Sequence, residues 1–232
     1  MFLENLRSEM KKLSNQEKAK LYSGYFKTGK GEYGEGDVFI GLTVPEQRTL
    51  SKEYKDLSLG DIRKLLKSGI HEERLTGLLV LVLQYKKADE KLKGRIVEMY
   101  LSNIKSINNW DLVDLSAPNI LGDYFLKRER SFIYKLSKSK NLWEKRIAVL
   151  STFTFIKNGE FDDSLKIAEI LMNDKHDLIH KAVGWMLREI GKKNQSVEEK
   201  FLKKYHKVMP RTMLRYAIEK FSPEKREIYL RK

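Results

Sequence analysis

The sequence of 232 residues contains no cysteine and only 4 prolines and 14 glycines. Without cysteine the chain has neither disulfides nor thiolate metal sites, which fits a reducing compartment such as the cytoplasm. So few turn-forming residues are unusual for a β-rich protein of this length. The sequence also lacks any apolar run of about 18 residues, so we expect no membrane-spanning helix. The N-terminal segment has no apolar core of the kind found in signal peptides.

Positive charge, by contrast, is in excess, with 46 Lys and Arg against 32 Asp and Glu. The net charge of +14 comes from residues 127–146, which carry +6, and residues 192–232, which carry +8. Clustered basic residues are typical of proteins that bind a polyanion, because each neutralised phosphate releases a counterion. Nucleic acid is therefore the expected partner. A membrane surface, or a basic face that only meets solvent, is the alternative.

Nearly every segment repeats apolar residues with the spacing of a helix, as in Ile179, Val183 and Met186. Hydrophobic residues make up 41% of the chain, which is enough for a sizeable core. Only residues 37–44 resemble a strand, and we expect an extended loop there. Helices are predicted over residues 71–86, 89–102, 108–116, 141–157, 161–172, 176–191, 196–208 and 211–220.

Several helix ends carry recognisable residues. Asp162 and Ser222 are predicted N-caps, and Pro223 follows the second of them at the first helical position. The pair Asn158-Gly159 is a predicted helix stop. These signals support a chain built from many short helices.

Three predicted helices share a basic residue followed by small and apolar residues. The basic residues are Arg74, Arg146 and Lys181, which are 72 and then 35 residues apart. A repeat of about 36 residues built from helix pairs is typical of HEAT or armadillo solenoids. We therefore predict an all-α fold, a HEAT-like α-solenoid of stacked helix pairs with a concave basic face. Residues 1–232 are expected to form a single domain.

Two short motifs are weak indications of cofactor or metal binding. Residues 29–34 match the G-x-G-x-x-G pattern, but a predicted helix precedes them where a dinucleotide fold needs a strand. His176 and His180 are four residues apart, but Asp177 stands where a zinc-protease helix needs Glu. His71 has no recognisable ligand spacing. We therefore expect no cofactor and no metal, a loop at the glycine-rich segment, and solvated histidines in the first turn of a helix.

The segment NNWDLVD, residues 108–114, is the strongest candidate for chemistry. Trp110 and Asp114 are four residues apart and share one helical face. Arg146 and Trp185 lie in the equivalent helices of later repeats, so stacking would place all four on one surface. Two indoles, a carboxylate and a guanidinium suit a cationic or aromatic group beside a phosphate. A capping acid and core tryptophans are the alternative.

Seven sequence words between about residues 20 and 191 resemble the DNA alkylation repair glycosylases, the AlkD-like HEAT-repeat proteins. Two of these words match the patterns W-D-x-V-D and A-h-G-W-h-L-R-E, in which h is a hydrophobic residue. The occurrence of both patterns in one chain is specific to the family. The seven are YFKTG at 25–29, YGEGD at 33–37, GLTVPEQR at 41–48, NWDLVD at 109–114, LGDYFL at 121–126, LWEKRIA at 142–148 and KAVGWMLRE at 181–189.

This resemblance implies excision of N3- or N7-alkylated purines from duplex DNA by a monomer, with no membrane partner. It implies that Asp114 is the catalytic carboxylate and that Trp110 and Trp185 flank the deoxyribose of the lesion. It further implies that the enzyme works through the sugar of a stacked base. The implied DNA-binding residues are Arg146, which holds a phosphate, and Tyr25, Lys181 and Arg188.

The implied chemistry is reasonable, because a cationic alkylpurine is already a good leaving group and needs no general acid. A fixed carboxylate such as Asp114 stabilises the positive charge that builds on the sugar. The chain departs from the family at Thr43, where active members can carry Gln after Gly-Ile, and loss of that amide could alter lesion preference. Two other functions remain open. They are a non-catalytic binder of damaged or branched DNA, and a protein-interaction scaffold.

Overall fold

The protein is all-α, as predicted. The structure, a computed structural model, describes residues 2–231. Within them, strand pairing is limited to one isolated parallel bridge between Val38 and Ile70, so residues 37–44 are otherwise the expected loop. The helices are α1 (Phe2–Lys12), α2 (Gln16–Tyr25), α3 (Val44–Glu53), α4 (Leu59–Leu66), α5 (His71–Lys87), α6 (Glu90–Ser102), α7 (Trp110–Ala117), α8 (Asp123–Leu126), α9 (Ser131–Ser137), α10 (Leu142–Lys157), α11 (Asp162–Ile170), α12 (Asp177–Lys193), α13 (Gln195–Tyr205), α14 (Arg211–Ala217) and α15 (Pro223–Leu230).

The chain divides into two compact units, Met1–Ser116 and Ala117–Lys232. Helix α5 is the centre of the first unit and packs against α3, α4 and α6. Residues 71–82 of α5 are all buried, including the charged residues of its first turn. A helix buried on every side places its polar residues in the interior, where each of them needs a partner.

The second unit consists of helices that pack in chain order. Helices α10, α12 and α14 contact one another in succession, while α9 and α11 pack on α10 and α13 packs on α12. The assignment to HEAT-type repeats, the single domain and the concave face remain predictions.

The structure confirms some of the predicted helix ends and corrects others. Ser222 caps α15 by accepting a bond from the backbone N–H of Lys225, and Pro223 begins that helix. Asp162, in contrast, is not the N-cap of α11. Phe161 occupies the N-cap position, and Asp162 is the first residue of the helix. His176 is not a solvated first-turn residue. It is half-buried and caps α12.

Helix α7 continues through a π-helical turn, Pro118–Gly122, into α8. Proline has no backbone N–H for the helical ladder, which favours a wider turn at this point. The hydroxyl of Thr154 on α10 donates a hydrogen bond of 2.6 Å to the carbonyl of Pro118. A Cβ atom at Gly122 would lie only 2.5 Å from the carbonyl oxygen of Ser151, so glycine allows this close approach to α10.

Candidate active site

The segment that the sequence analysis favours forms the first turns of α7. The Oδ1 atom of buried Asn109 accepts a hydrogen bond of 2.9 Å from the backbone N–H of Trp110. Trp110 and Asp114 are half-buried and stand one helical turn apart, whereas Asp111 between them is buried. The start of α7 therefore presents an indole and a carboxylate from one side and directs a second carboxylate into the interior.

His71 at the start of α5 binds that second carboxylate. Its Nε2 atom lies 2.8 Å from Oδ2 of Asp111, and its Nδ1 atom lies 2.8 Å from Oδ2 of Asp37. Because carboxylates only accept hydrogen bonds, both ring nitrogens carry a proton and the ring is an imidazolium. Burial opposes this charge, but the hydrogen bonds and negative charges of Asp111 and Asp37 outweigh it and raise the pKa of His71 to about 9.

Asp37 lies in the loop before α3 and connects several elements. Besides His71, its carboxylate accepts hydrogen bonds from Arg74 at 2.5 Å and from the Nδ2 atom of Asn109 at 3.1 Å. Burial favours the neutral acid, but the hydrogen bond from His71 and the charge of Arg74 prevail and lower the pKa of Asp37. These contacts tie the loop, α5 and the start of α7 together.

The other part of the loop is held by Glu72. Its buried carboxylate accepts hydrogen bonds from the backbone N–H groups of Ile40, Gly41 and Leu42, the shortest being 2.8 Å from Gly41. Gly41 has a φ of +86°, and a Cβ atom there would lie 2.1 Å from the carbonyl oxygen of Asn15. The loop conformation therefore depends on both the glycine and the carboxylate.

Thr43, the residue that departs from the family pattern, caps α3. Its hydroxyl accepts a hydrogen bond from the backbone N–H of Glu46, and the Glu46 carboxylate accepts from the backbone N–H of Thr43 at 2.7 Å. This reciprocal pair is a capping box. Thr43 thus has a structural function as the cap of α3. Its side chain has no amide group, so it does not supply the amide that a glutamine would bring to this position.

Aromatic side chains surround Trp110. Phe26 stacks on its indole with the ring centroids 5.0 Å apart and the planes at 8°. Tyr25 contacts the same indole edge-on at 5.9 Å and exposes 64% of its surface. Phe39 stacks on Phe26 at 4.9 Å and on the imidazole of His71 at 4.5 Å. The predicted residues Tyr25 and Trp110 are therefore in contact, within an aromatic cluster that sequence reasoning did not identify.

The remaining candidates lie in the second unit, on α10 and α12. Arg146 is buried, and its Nη1 atom donates a hydrogen bond of 2.7 Å to the carbonyl of Leu178. Trp185 is half-buried, donates from Nε1 to Glu189 at 3.0 Å and packs against Phe153. The alignment of Arg146 and Trp185 with Trp110 and Asp114 on one surface remains a prediction.

Lys181 and Arg188 on α12 are both paired with carboxylates. Lys181 lies 2.7 Å from Asp177, one turn earlier on the same helix, and both residues are substantially exposed. Arg188 donates a hydrogen bond to Glu219. The exposed pair of Lys181 contributes little to stability, as is usual for ion pairs at a protein surface.

Some of the basic residues in segment 127–146 form ion pairs within the second unit. Arg130 contacts Asp163 and Glu160, each at 2.5 Å, and Lys145 forms an ion pair with Asp174. The guanidinium of Arg130 also lies over the ring of Phe155. Residues 127–146 therefore contribute less free positive charge than their composition suggests.

Across residues 2–231, no helix is long and apolar enough to cross a membrane. The same residues contain no cluster of His, Asp and Glu side chains arranged to hold a metal ion. The imidazolium of His71 has no ring lone pair left for a metal, because each nitrogen donates to a carboxylate.

The chain resembles known proteins both in its fold and in its sequence. Its fold is similar to a solved structure described as a predicted DNA alkylation repair enzyme from Enterococcus faecalis, with a TM-score of 0.69 and 18% identity over 90% of this chain and 97% of that chain. No curated protein sequence matches the chain significantly. A family model described as DNA alkylation repair enzyme matches residues 6–221. Because this match covers most of the sequence, the chain belongs to the DNA alkylation repair enzyme family.

Proposed function

We propose that the protein is a monofunctional DNA glycosylase that removes cationic N3- or N7-alkylated purines from duplex DNA. Membership of the family supports a function in alkylation repair. The observation that carries the specific reaction is the half-buried carboxylate of Asp114, one turn from Trp110 on a helix whose start is held by His71. A fixed carboxylate beside an aromatic face is suited to stabilising a cation.

The proposed chemistry needs few groups. Breaking the glycosidic bond of a cationic alkylpurine transfers the bond's electron pair to the base, which leaves neutral, and builds positive charge on the sugar. Asp114 stabilises that charge electrostatically and positions the attacking water. The indole face of Trp110 favours the same cation.

DNA is proposed to bind through residues of both units. Trp185 is proposed to flank the deoxyribose of the lesion, as Trp110 does. The basic segments 127–146 and 192–232 supply additional positive charge for the phosphate backbone. We further propose a monomeric enzyme with a single functional domain, located in the cytoplasm in keeping with the absence of cysteine. The proposed DNA contacts are Arg146, Tyr25, Lys181 and Arg188.

Release of 7-methylguanine from methylated duplex DNA tests the proposal. Wild-type protein should release the base, and Asp114→Asn should reduce the rate by about 10²–10³-fold, because one pre-organised charge is lost. The affinity of the variant for duplex DNA should be nearly unchanged. Asp123→Asn, an exposed carboxylate on α8, is the matched control and should keep the wild-type rate.

Three outcomes would contradict the proposal. Absence of release by the wild-type protein, or equal release by Asp114→Asn, would remove the catalytic assignment. A covalent adduct trapped by borohydride would indicate a lysine lyase instead of a monofunctional enzyme. Tight binding to DNA without base release would favour a non-catalytic binder, whereas weak binding with little salt dependence would favour a protein-interaction scaffold.

A further inference from the structure

A groove of about 800 Å³ lies in the first unit, where the ends of α3 and α5 meet the starts of α4 and α6. This volume is in the range of ligand-binding sites, roughly 300–1,000 Å³. Lys87 lines the groove and is the last residue of α5, whereas His71 is the first residue of that helix. The two residues are about 24 Å apart along the helix axis. The groove is therefore a second surface, separate from the candidate active site.

The floor of the groove is apolar. Leu59, Leu83 and Leu92 line it and are half-buried, and the buried Leu57 lines it as well. Leucines that are gathered in one depression and remain accessible to water are typical of a surface that binds another molecule. The floor therefore indicates a ligand that has apolar groups of its own.

The walls of the groove are held by hydrogen bonds within the chain. The side-chain amide of Gln84 on α5 donates to the carbonyl oxygens of Lys55 at 2.7 Å and of Leu57 at 2.8 Å, which ties the turn between α3 and α4 to α5. At the start of α6, the carboxylate of Asp89 accepts a hydrogen bond of 2.8 Å from the backbone N–H of Leu92. Because these walls are already ordered, a ligand binds without a large entropic cost for ordering the site.

Four exposed cations also line the groove, and we call them the rim cations. They are Lys52 on α3, Lys55 in the turn that follows, Lys87 on α5 and Arg95 on α6. Asp56 is the only carboxylate among the described residues that line the groove. This excess of positive charge favours an anionic ligand, because opposite charges steer association before the partners touch.

The rim cations are not neutralised by the carboxylates of the neighbouring helices. Asp61 on α4 is paired with Lys64 at 2.8 Å, and Glu90 on α6 is paired with Lys93 at 3.7 Å. Within residues 2–231, none of the four rim cations forms an ion pair with a carboxylate. Their charges are therefore available to a ligand.

Helix dipoles explain only part of this arrangement. Lys52, Lys55 and Lys87 lie at or just beyond the C-terminal ends of α3 and α5, where a positive charge complements the helix dipole. Arg95 lies in the middle of α6 and has no such function. The dipoles also give no reason for these charges to meet on an apolar floor. The combination of floor and charge is the observation that points to a ligand.

We infer that the groove binds an acidic segment of a partner protein that carries large apolar side chains. Carboxylates of the segment pair with the rim cations, and its apolar side chains pack on the leucines of the floor. The rim cations would attract the phosphates of a nucleic acid too, but a duplex backbone presents only phosphates and sugars and has no large apolar groups. A peptide satisfies both features of the groove. The inference does not rest on the proposed reaction, because it concerns the opposite end of α5.

Synthetic peptides of about 14 residues test the groove on the full-length protein. The probe is rich in glutamate and has leucines at the helical spacing i, i+3 and i+7, and fluorescence anisotropy measures its affinity. One control peptide replaces the leucines by serine, and another replaces the glutamates by lysine. The probe should bind at least about tenfold more tightly than either control, because each control lacks one of the two complementary features. Equal binding of the serine peptide, or no binding of the probe, would overturn the inference.

Charge reversal locates the probe on the protein, since a net charge of +14 attracts acidic peptides to other surfaces as well. Lys55→Glu and Lys87→Glu should each weaken binding about three- to tenfold, because an attraction becomes a repulsion. Lys203→Glu makes the same change at an exposed position of α13, in the basic segment 192–232, and should bind the probe as the wild type does. If Lys203→Glu weakens binding as much as the groove variants do, the contact is nonspecific and the inference is wrong.

Truncation of a leucine tests the floor separately from the charges. Leu92→Ala should weaken binding of the probe about three- to tenfold, because it removes apolar surface from the contact. Leu21→Ala, at an exposed leucine of α2 outside the groove, is the matched control and should bind normally. Thermal unfolding shows whether each variant is folded. Unchanged binding in a folded Leu92→Ala variant would place the peptide elsewhere and overturn the inference.

Experiments with DNA distinguish a peptide site from a nucleic-acid site. Lys55→Glu and Lys87→Glu should keep nearly the wild-type affinity for duplex DNA and the wild-type rate of 7-methylguanine release. A loss of duplex affinity as large as the loss of peptide affinity would assign the groove to the phosphate backbone and overturn the inference. Failure of the wild-type protein to release the base would overturn the proposed function and leave this inference intact.

Discussion

The Nε2 atom of His71 lies 2.8 Å from a carboxylate oxygen of Asp111, the residue that directly follows Trp110. This contact joins the first turn of α5 to the first turn of α7, although the two residues are 40 positions apart in the chain. The helix that carries Asp114 is therefore held at its start by a buried imidazolium. We regard His71 as a positioning residue, because it acts on the candidate site through Asp111.

Replacement of His71 tests this contact directly. His71→Asn should lower the free energy of unfolding by about 3–5 kcal/mol, because it leaves the buried carboxylates of Asp37 and Asp111 without their shared cation. Urea denaturation measures the effect. His206→Asn, in the second unit, is the control and should change stability far less. A loss of under about 1 kcal/mol in His71→Asn would show that the bridge is not important for folding.

The pKa of His71 predicts how stability depends on pH. Its folded pKa of about 9 lies above the ordinary value of 6.5, so its contribution is complete below pH 6.5 and is lost as the pH rises through 9. The free energy of unfolding should fall by about 3 kcal/mol over this interval. Denaturation at several pH values measures it, and His71→Asn should lack this part of the dependence.

Glu198 is a second buried group whose ionisation lowers the stability of the fold as the pH rises. Its effect on the pH profile has to be distinguished from that of His71. Burial, and to a lesser extent the charge of Glu199, raises the pKa of Glu198 from 4.5 to about 8, so stability is lost as the pH rises through 8. Glu198→Gln should remove this dependence while keeping that of His71. If His71→Asn retains the full wild-type pH profile, the imidazolium is not its source.

Gly184, in the family word that contains Trp185, is predicted to be sensitive to any side chain. A Cβ atom there would lie 2.4 Å from the carbonyl oxygen of Met213 and 2.6 Å from Cβ of Tyr216. Gly184→Ala should therefore cost about 1–3 kcal/mol, because α12 and α14 must separate. Gly24→Ala has open space and should stabilise α2 by about 0.5–1 kcal/mol. Thermal unfolding compares the two, and a neutral Gly184→Ala would contradict the close packing.

Arg146 is expected to affect both stability and DNA binding. Arg146→Met leaves the carbonyl of Leu178 without this donor and should cost about 1–3 kcal/mol in unfolding experiments. If Arg146 also holds a phosphate, the slope of log affinity against log salt should decrease by about 1. Lys11→Met, on α1, is the control for the slope. An unchanged slope in folded Arg146→Met would assign the guanidinium a purely structural function.

The eight helices predicted between residues 71 and 220 are all present, but some of their ends were predicted less well. Ser222 and Pro223 begin α15 as expected, because capping involves residues that are close in the chain. Asp162 was wrongly predicted as a cap, because an acidic residue favours the first turn as well as the cap itself. The pairing of Trp110 with Asp114 on one face follows from helical spacing alone.

The aromatic cluster around Trp110 could not be predicted in the same way. Phe26 and Phe39 are separated by a glycine-rich loop, and their stacking depends on how that loop folds back. No local sequence pattern indicated the buried ion pairs of His71, because its partners Asp37 and Asp111 are 34 and 40 residues away. The only signal in the sequence was that Asp37 and Asp111 both fall within words shared with the family.

By itself, the sequence determined the helical character of the chain, the family to which it belongs and the location of its basic segments. Each of these follows from composition or from residues within a few positions of one another. Tertiary structure decided which charges are neutralised, that His71 is an imidazolium, and that aromatic rings cluster around Trp110. These features depend on contacts between distant segments, where burial removes water and forces each polar group to find a partner in the protein.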